Sequence, residues 1–299
     1  MGMRNKQEML VDPATERRIG DLLARMTTEE KIGQLMQLSP SIFGAFGETM
    51  DELIQKLVNG EMSGEQFAKL ERDYHEDDIG EGRIGSMGGI IGADKANELQ
   101  RIAVEESRLG IPLLFGFDVI HGFRTVFPIP LAEACSWEPE LLRATAAVAA
   151  KEAAAAGLHW TYAPMVDVAR DPRWGRIAEG AGEDPYLGSV MAAARVEGFQ
   201  GDLSSPDNIL ACAKHFAAYG AAVGGRDYNT VDMSPQTLHD VYLPPFEAAA
   251  RAGAATFMTA FNDLNGVPCT ANDYLLQDVL RGRFGFNGFV ISDANAVAE

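Results

Sequence analysis

The 299-residue chain has little cysteine, few basic residues and no long apolar run. Its three cysteines, Cys135, Cys212 and Cys269, are an odd number at wide spacing, which excludes a disulfide framework and a Cys-x-x-Cys metal clip. The five histidines, His75, His121, His159, His215 and His239, show neither HxxxH nor HExxH spacing, so no metal is expected. No GxGxxG follows the first strand-like run, which argues against a dinucleotide, and no other cofactor is expected. The most Ala-rich stretch, 144–157, carries Lys151 and Glu152, so a membrane span is not expected either. The opening MGMRNKQEMLVDP lacks the apolar core and small-residue cleavage site of a secretory leader. Together with the cysteine usage this leads to the expectation of a soluble, cytoplasmic protein. Basic residues number 25 against 43 acidic ones, for a net charge of −18. Such a surface repels nucleic acid and anionic membranes, and neither is expected as a partner.

What is present is a large apolar fraction, 46% of residues, and 31 glycines that punctuate the chain. Residues 1–82 read as a helical N-terminal segment. It contains a capping box, Thr27 to Glu30, and an acidic surface excursion over 48–81 with eleven acids against Lys56, Lys69 and Arg72. From 83 onward, short β-prone runs alternate with helix-like runs that end in glycine. The strands are predicted at 83–91, 111–118, 159–168, 209–216, 255–261 and 289–293. The helices are predicted at 93–109, 139–156, 186–200, 236–252 and 273–281.

Apolar strands joined by helical crossovers point to an α/β fold with a parallel sheet. A doubly wound sheet and a (β/α)8 TIM-type barrel both satisfy this alternation. The polar residues favour the barrel: Asp118, Asp167, Lys214–His215, Asn262 and Asp293 each end a different strand, on the rim where barrels do chemistry. About six β/α units are visible. The chain stops six residues after Asp293, so the barrel over 83–299 is expected to be a truncated piece, incomplete at its C-terminus.

Three groups on that rim carry possible chemistry. Asp293 closes the run FVISD, where it can serve as a nucleophile or base, or cap the helix that would follow. Lys214 can form a Schiff base, donate to hydroxyls, or sit in a buried ion pair; His215 is its neighbour. Asp118 has Arg124 six residues on, and Arg173 and Arg176 precede Glu179, Glu183 and Asp184. A carboxylate beside a guanidinium stays ionised and can accept from vicinal hydroxyls, or the pairs can simply hold loops. With aromatics such as Trp174 nearby, a neutral polyhydroxylated ligand fits this rim better than a phosphate.

Five motifs in order, GIPLLFGFDVIHGFRTVFPIPLA, APMVDVARDPRWGRIAEGAGEDPYLG, LACAKHFAAYG, GAATFMTAFNDLNGVP and LLQDVLRGRFGFNGFVISD, resemble the N-terminal domain of glycoside hydrolase family three, of the bacterial β-glucosidase type, over about 16–299. The resemblance implies a retaining, exo-acting β-glucosidase that removes terminal non-reducing β-D-glucosyl residues from a glucoside or oligosaccharide through a covalent intermediate on Asp293. It further implies that Asp118, Arg124, Arg176, Lys214, His215 and Met258 hold the sugar.

The sequence departs from the family pattern at three places. Ala294 stands where the family usually has Trp or His after the nucleophile. Phe261 stands where a Tyr usually precedes Asn. The acid/base Glu of β-glucosidases lies on a C-terminal domain that is not in this chain. The Asp-x-His acid/base of the N-acetylglucosaminidase branch has no counterpart, since KHFAAYG is followed later by Asp232-Met233-Ser234. Alternatives are a β-xylosidase of the same family, a sugar-binding fragment inactive without its missing domain, and, more remotely, a Schiff-base lyase using Lys214.

Overall fold

The computed structural model describes residues 13–39, 55–64, 66 and 76–297. The opening twelve residues and half of the acidic 48–81 stretch lie outside the described residues. The chain packs as two compact units, Pro13–Phe117 with Ala156–His159, and 118–155 with 160–297.

In the first unit the Thr27 capping box forms as the sequence predicts. Glu30 N–H donates to Thr27 Oγ1 at 3.2 Å, and Glu30 Oε2 accepts the Thr27 N–H at 2.8 Å. The helix Thr28–Gln34 that it starts is short, and the chain then enters a strand that helical spacing had hidden, β1 (Gln37–Leu38). β1 pairs parallel with β2 (Ser86–Gly88), which pairs parallel with β3 (Leu114–Phe117). This pairing joins residues on both sides of position 82 in one sheet. Phe115 and Met87 are buried in it, and the helix Ala93–Arg101 that follows β2 buries Ala96 and Leu99.

The second unit is built on the same logic. β4 (Trp160–Thr161), β5 (Cys212–Phe216) and β6 (Thr256–Thr259) are buried throughout, as expected of parallel strands covered on both faces. The Trp160↔Leu210 and Met165↔Lys214 bridges align the β4 segment with β5, and Cys212↔Thr256 sets β5 against β6. After β6 comes a tight hairpin, β7 (Asp263–Leu264) and β8 (Val267–Pro268). Its turn residues Asn265 and Gly266 have φ of 52° and 82°, the conformation an Asn-Gly turn adopts most easily. β9 (Phe289–Ile291) returns beside β6 in parallel, Thr256↔Phe289.

The crossovers are Pro139–Ala155, Pro185–Gln200, Pro244–Arg251 and the π-type helix Tyr274–Arg283. The first two pack closely because small residues line the contact: Ala146, Ala149, Ala150 and Ala153 are buried. A Cβ on Gly198 would lie 2.4 Å from Arg143 O. Gln200, at the end of its helix, is a buried clasp. Its Oε1 accepts Ala211 N–H (3.0 Å) and Ala255 N–H (2.8 Å), and its Nε2 donates to Gly253 O at 2.8 Å. That end of the sheet, where β5 and β6 begin, is therefore tied down by hydrogen bonds. The opposite end, where the strands finish, carries the charged groups.

The fold is α/β with parallel strands, as predicted. No sheet closes into a ring among the described residues.

Candidate active site

The ladder between 163–166 and β5 places the site. Cys212 N–H donates to Ala163 O (2.8 Å), Lys214 N–H to Pro164 O (3.1 Å), and Val166 N–H to Lys214 O (2.8 Å). This register sets Asp167 beside His215. Asp167 Oδ2 lies 2.9 Å from both the His215 main-chain nitrogen and its Nδ1. On the far side of the ring, His215 Nε2 is 3.4 Å from Asp293 Oδ2. The side chains of Asp167 and His215 are buried, while that of Asp293 keeps 14% of its surface.

Lys214 points to a different partner. Its Nζ donates to Asp118 Oδ1 at 2.7 Å. The lysine side chain is 6% exposed and the aspartate 52%, so the pair has one dry end and one wet end. Lys214 thus sits in an ion pair, one of its foreseen readings, but the pair is buried only at the lysine end. Arg176 Nε and Nη2 reach Glu179 Oε1 and Oε2 at 2.7 and 2.9 Å, a bidentate fork. The Arg176 guanidinium lies over the Tyr219 ring, 5.6 Å from its centroid, and Tyr219 stands edge-on to His215 at 5.1 Å. Trp174 packs on the other side of Tyr219 and donates its Nε1–H to Asp227 at 2.9 Å.

These groups shift one another. Burial pushes the Asp167 carboxyl up to about 7, opposed by the main-chain N–H of His215 and by the charge of Arg176. Burial, with Lys214 and Arg176 close by, holds the His215 imidazole well below its usual range. The Asp293 carboxyl is raised, again by burial, against the pull of His215, the Ala294 N–H, Lys214 and Arg176. Burial works against the charge of Glu179, but the Arg176 fork outweighs it and holds this carboxyl low. Burial pushes the Cys212 and Cys269 thiols up to about 12, so neither is a nucleophile at neutral pH.

Of the residues singled out from the sequence, Asp118, Lys214, His215 and Asp293 meet directly or through one neighbour, and Arg176 joins them through Tyr219. Met258 is buried on β6 in a cluster with Trp160 and Cys212, packed against Ile291 just before Asp293. Arg124 is placed differently. Its main-chain N–H and that of Thr125 donate to Glu152 Oε2 at 2.8 Å, its side chain is exposed, and it forms no ion pair with Asp118 among the described residues. The helix-cap reading of Asp293 is not realised. Among the described residues its Oδ1 accepts the adjacent Ala294 N–H, at 2.7 Å, and 294–297 is a turn. Asp167 was visible as a polar residue ending an apolar run and Glu179 as a carboxylate close behind Arg176, whereas Tyr219 gave no signal apart from its neighbours.

Known proteins are similar to this chain over most of its length. A periplasmic β-glucosidase of Salmonella typhimurium is 41% identical over 293 residues, 97% of this chain and 35% of the relative. A β-xylosidase of Formosa agariphila is 42% identical over 220 residues, 69% of this chain and 30% of the relative. The crystal structure of β-glucosidase from Listeria innocua in complex with isofagomine superposes with a TM-score of 0.81 at 44% identity, covering 95% of this chain and 37% of that one. The chain thus spans about a third of the length of the relatives it matches.

One expectation is overturned here. The cytoplasmic setting read from the N-terminus and the cysteines conflicts with the periplasmic location of the Salmonella relative. Free, widely spaced cysteines, two of them buried, bear on neither compartment.

Residues 27–299 match the family described as glycosyl hydrolase family 3 N-terminal domain, and with relatives above 40% identity the chain belongs to that family.

Proposed function

We propose that this chain is the barrel domain of a retaining, exo-acting β-glucosidase, with six β/α units of a (β/α)8-type barrel. The observation that carries this reading is the position of Asp293. It is a largely desolvated carboxylate just past the end of β9, 3.4 Å from His215, on the same rim as the Lys214–Asp118 pair. A carboxylate so placed attacks the anomeric carbon. The C1–O bond breaks, the leaving oxygen takes a proton, and the glucosyl ester on Asp293 is then cleaved by water.

Asp118 accepts from sugar hydroxyls and Lys214 donates to them, both fixed by their 2.7 Å contact. Arg176, locked by Glu179, and His215 complete the polar wall, and Met258 backs it. Arg124 belongs to this set by resemblance, with its side chain free to turn inward from an exposed loop. The acid/base Glu is expected on the part of the relatives that this chain does not span, so the chain alone turns over natural β-glucosides poorly. General acid catalysis is worth about 10²–10⁴-fold.

A β-xylosidase is the second reading, favoured by the 42% identity to the Formosa enzyme. A sugar-binding fragment, active only with the missing part, is the third. A Schiff-base lyase is not adopted, because Lys214 Nζ is engaged by Asp118 where a free amine would be needed. The test is proton NMR of the sugar first released from a dinitrophenyl β-glucoside, a leaving group that needs no acid. β-Glucose as first product is expected, and α-glucose would overturn the retaining mechanism.

A further inference from the structure

Asp167 has been given no role by the motifs or the relatives, yet it is the group most tightly joined to His215. Its Oδ2 sits 2.9 Å from two nitrogens of the same residue. The main-chain N–H can only donate, so Oδ2 is an accepting oxygen. An oxygen already accepting is the natural acceptor for Nδ1–H as well, which places the ring proton on Nδ1. A second ring proton is opposed by the burial of the imidazole and by Lys214 and Arg176 on its flanks, against the pull of Asp293 and Glu179. Nε2 is then a bare lone pair, 3.4 Å from Asp293 Oδ2.

Two acceptors therefore stand side by side on the inner edge of the site. They cannot satisfy each other. A ligand hydroxyl can satisfy them.

We propose that Asp167 is a positioning residue that locks His215 in its Nδ1–H tautomer, so that Nε2 and Asp293 Oδ2 form a double-acceptor edge that selects a hydroxyl donor on the bound ligand. The inference rests on the glycosidase reading for the ligand, a polyol, but not for the tautomer.

The test is two-bond proton–nitrogen correlation NMR on the chain labelled with nitrogen-15 histidine, at about pH 8.5, above the range in which Asp167 takes up a proton. His215→Gln assigns the signal among the five histidines. The expected spectrum shows His215 with Nδ1 protonated and Nε2 unprotonated. A protonated Nε2, or a doubly protonated ring, overturns the proposal. In Asp167→Ala the Nδ1–H population is expected to fall several-fold in favour of Nε2–H, and retention of Nδ1–H would show that Asp167 does not set the tautomer. The unsubstituted chain is read without any variant, so the first result stands even if Asp167→Ala does not fold. Neither spectrum depends on glycoside cleavage, so failure here is distinct from failure of the glycosidase reading.

Discussion

One oxygen of Asp167 contacts His215 twice, at the main chain and at the ring, each at 2.9 Å. The far edge of that ring lies 3.4 Å from Asp293 Oδ2, so Asp167 acts through His215 on what the proposed nucleophile faces.

Burying Asp167 carries a pH signature. Its carboxyl is raised from 3.8 to about 7, so the folded chain binds this proton more tightly than the unfolded chain does. The associated stability is fully present below about pH 4 and is lost as pH rises through about 7, on the order of 4 kcal/mol across the window. Asp167→Asn carries no such proton. Urea unfolding of parent and variant at about pH 5 and pH 8 is expected to show a smaller difference between the two pH values in the variant. An equal difference in both would refute the assignment.

Lys214→Met removes the ammonium that pairs with Asp118 and that the proposed function has donate to the sugar. Asp118 is half exposed, so its loss of a partner strands no buried charge. Stability is expected to change little. Affinity for isofagomine or glucose is expected to fall about 10–100-fold, the cost of a hydrogen bond to a charged group. Titration calorimetry on the two proteins separates the two effects.

In the proposed mechanism Asp293 attacks only as a carboxylate. Burial raises its pKa, so covalent labelling is expected to fall off on acidification at a pH above the ordinary carboxylate value of 3.8. Inactivation rates measured across the pH range check the direction. Asp293→Asn is expected to lower cleavage of an aryl glucoside by about 10⁴-fold or more, as removal of a nucleophile does elsewhere.

Gly220 follows the aromatic that packs on His215. A Cβ there would sit 2.3 Å from Val168 O, a main-chain atom with nowhere to go. Gly220→Ala is expected to cost about 1–3 kcal/mol by overpacking and to slow labelling of Asp293 by displacing Tyr219. Thermal unfolding together with inactivation kinetics reads both.

Much of this was legible because it is local. Alternation of apolar runs with glycine-terminated helices marks β/α units, and Gly157 and Gly253 do take positive φ, 90° and 95°. Strand-end polar residues mark the rim, and Asp118, Lys214, His215 and Asp293 converge there. What was not legible depends on partners distant in sequence. β1 is two residues long and is defined only by its pairing with β2, 49 positions on in register. The buried pair Glu133–Arg195, at 2.8 Å and 62 residues apart, has no local signal. Arg124 was placed by its motif, but Glu152, on another helix, captures the main chain there. The compartment is not a folding property and was misjudged from a terminus and three thiols.

The most direct measurement is peptide mapping by mass spectrometry after incubation with a 2-deoxy-2-fluoroglucosyl inactivator bearing a good leaving group. A single fluoroglucosyl ester on Asp293, absent from Asp293→Asn, is the expected result. Label on any other residue, or retention of label in the variant, would contradict the role assigned to this carboxylate.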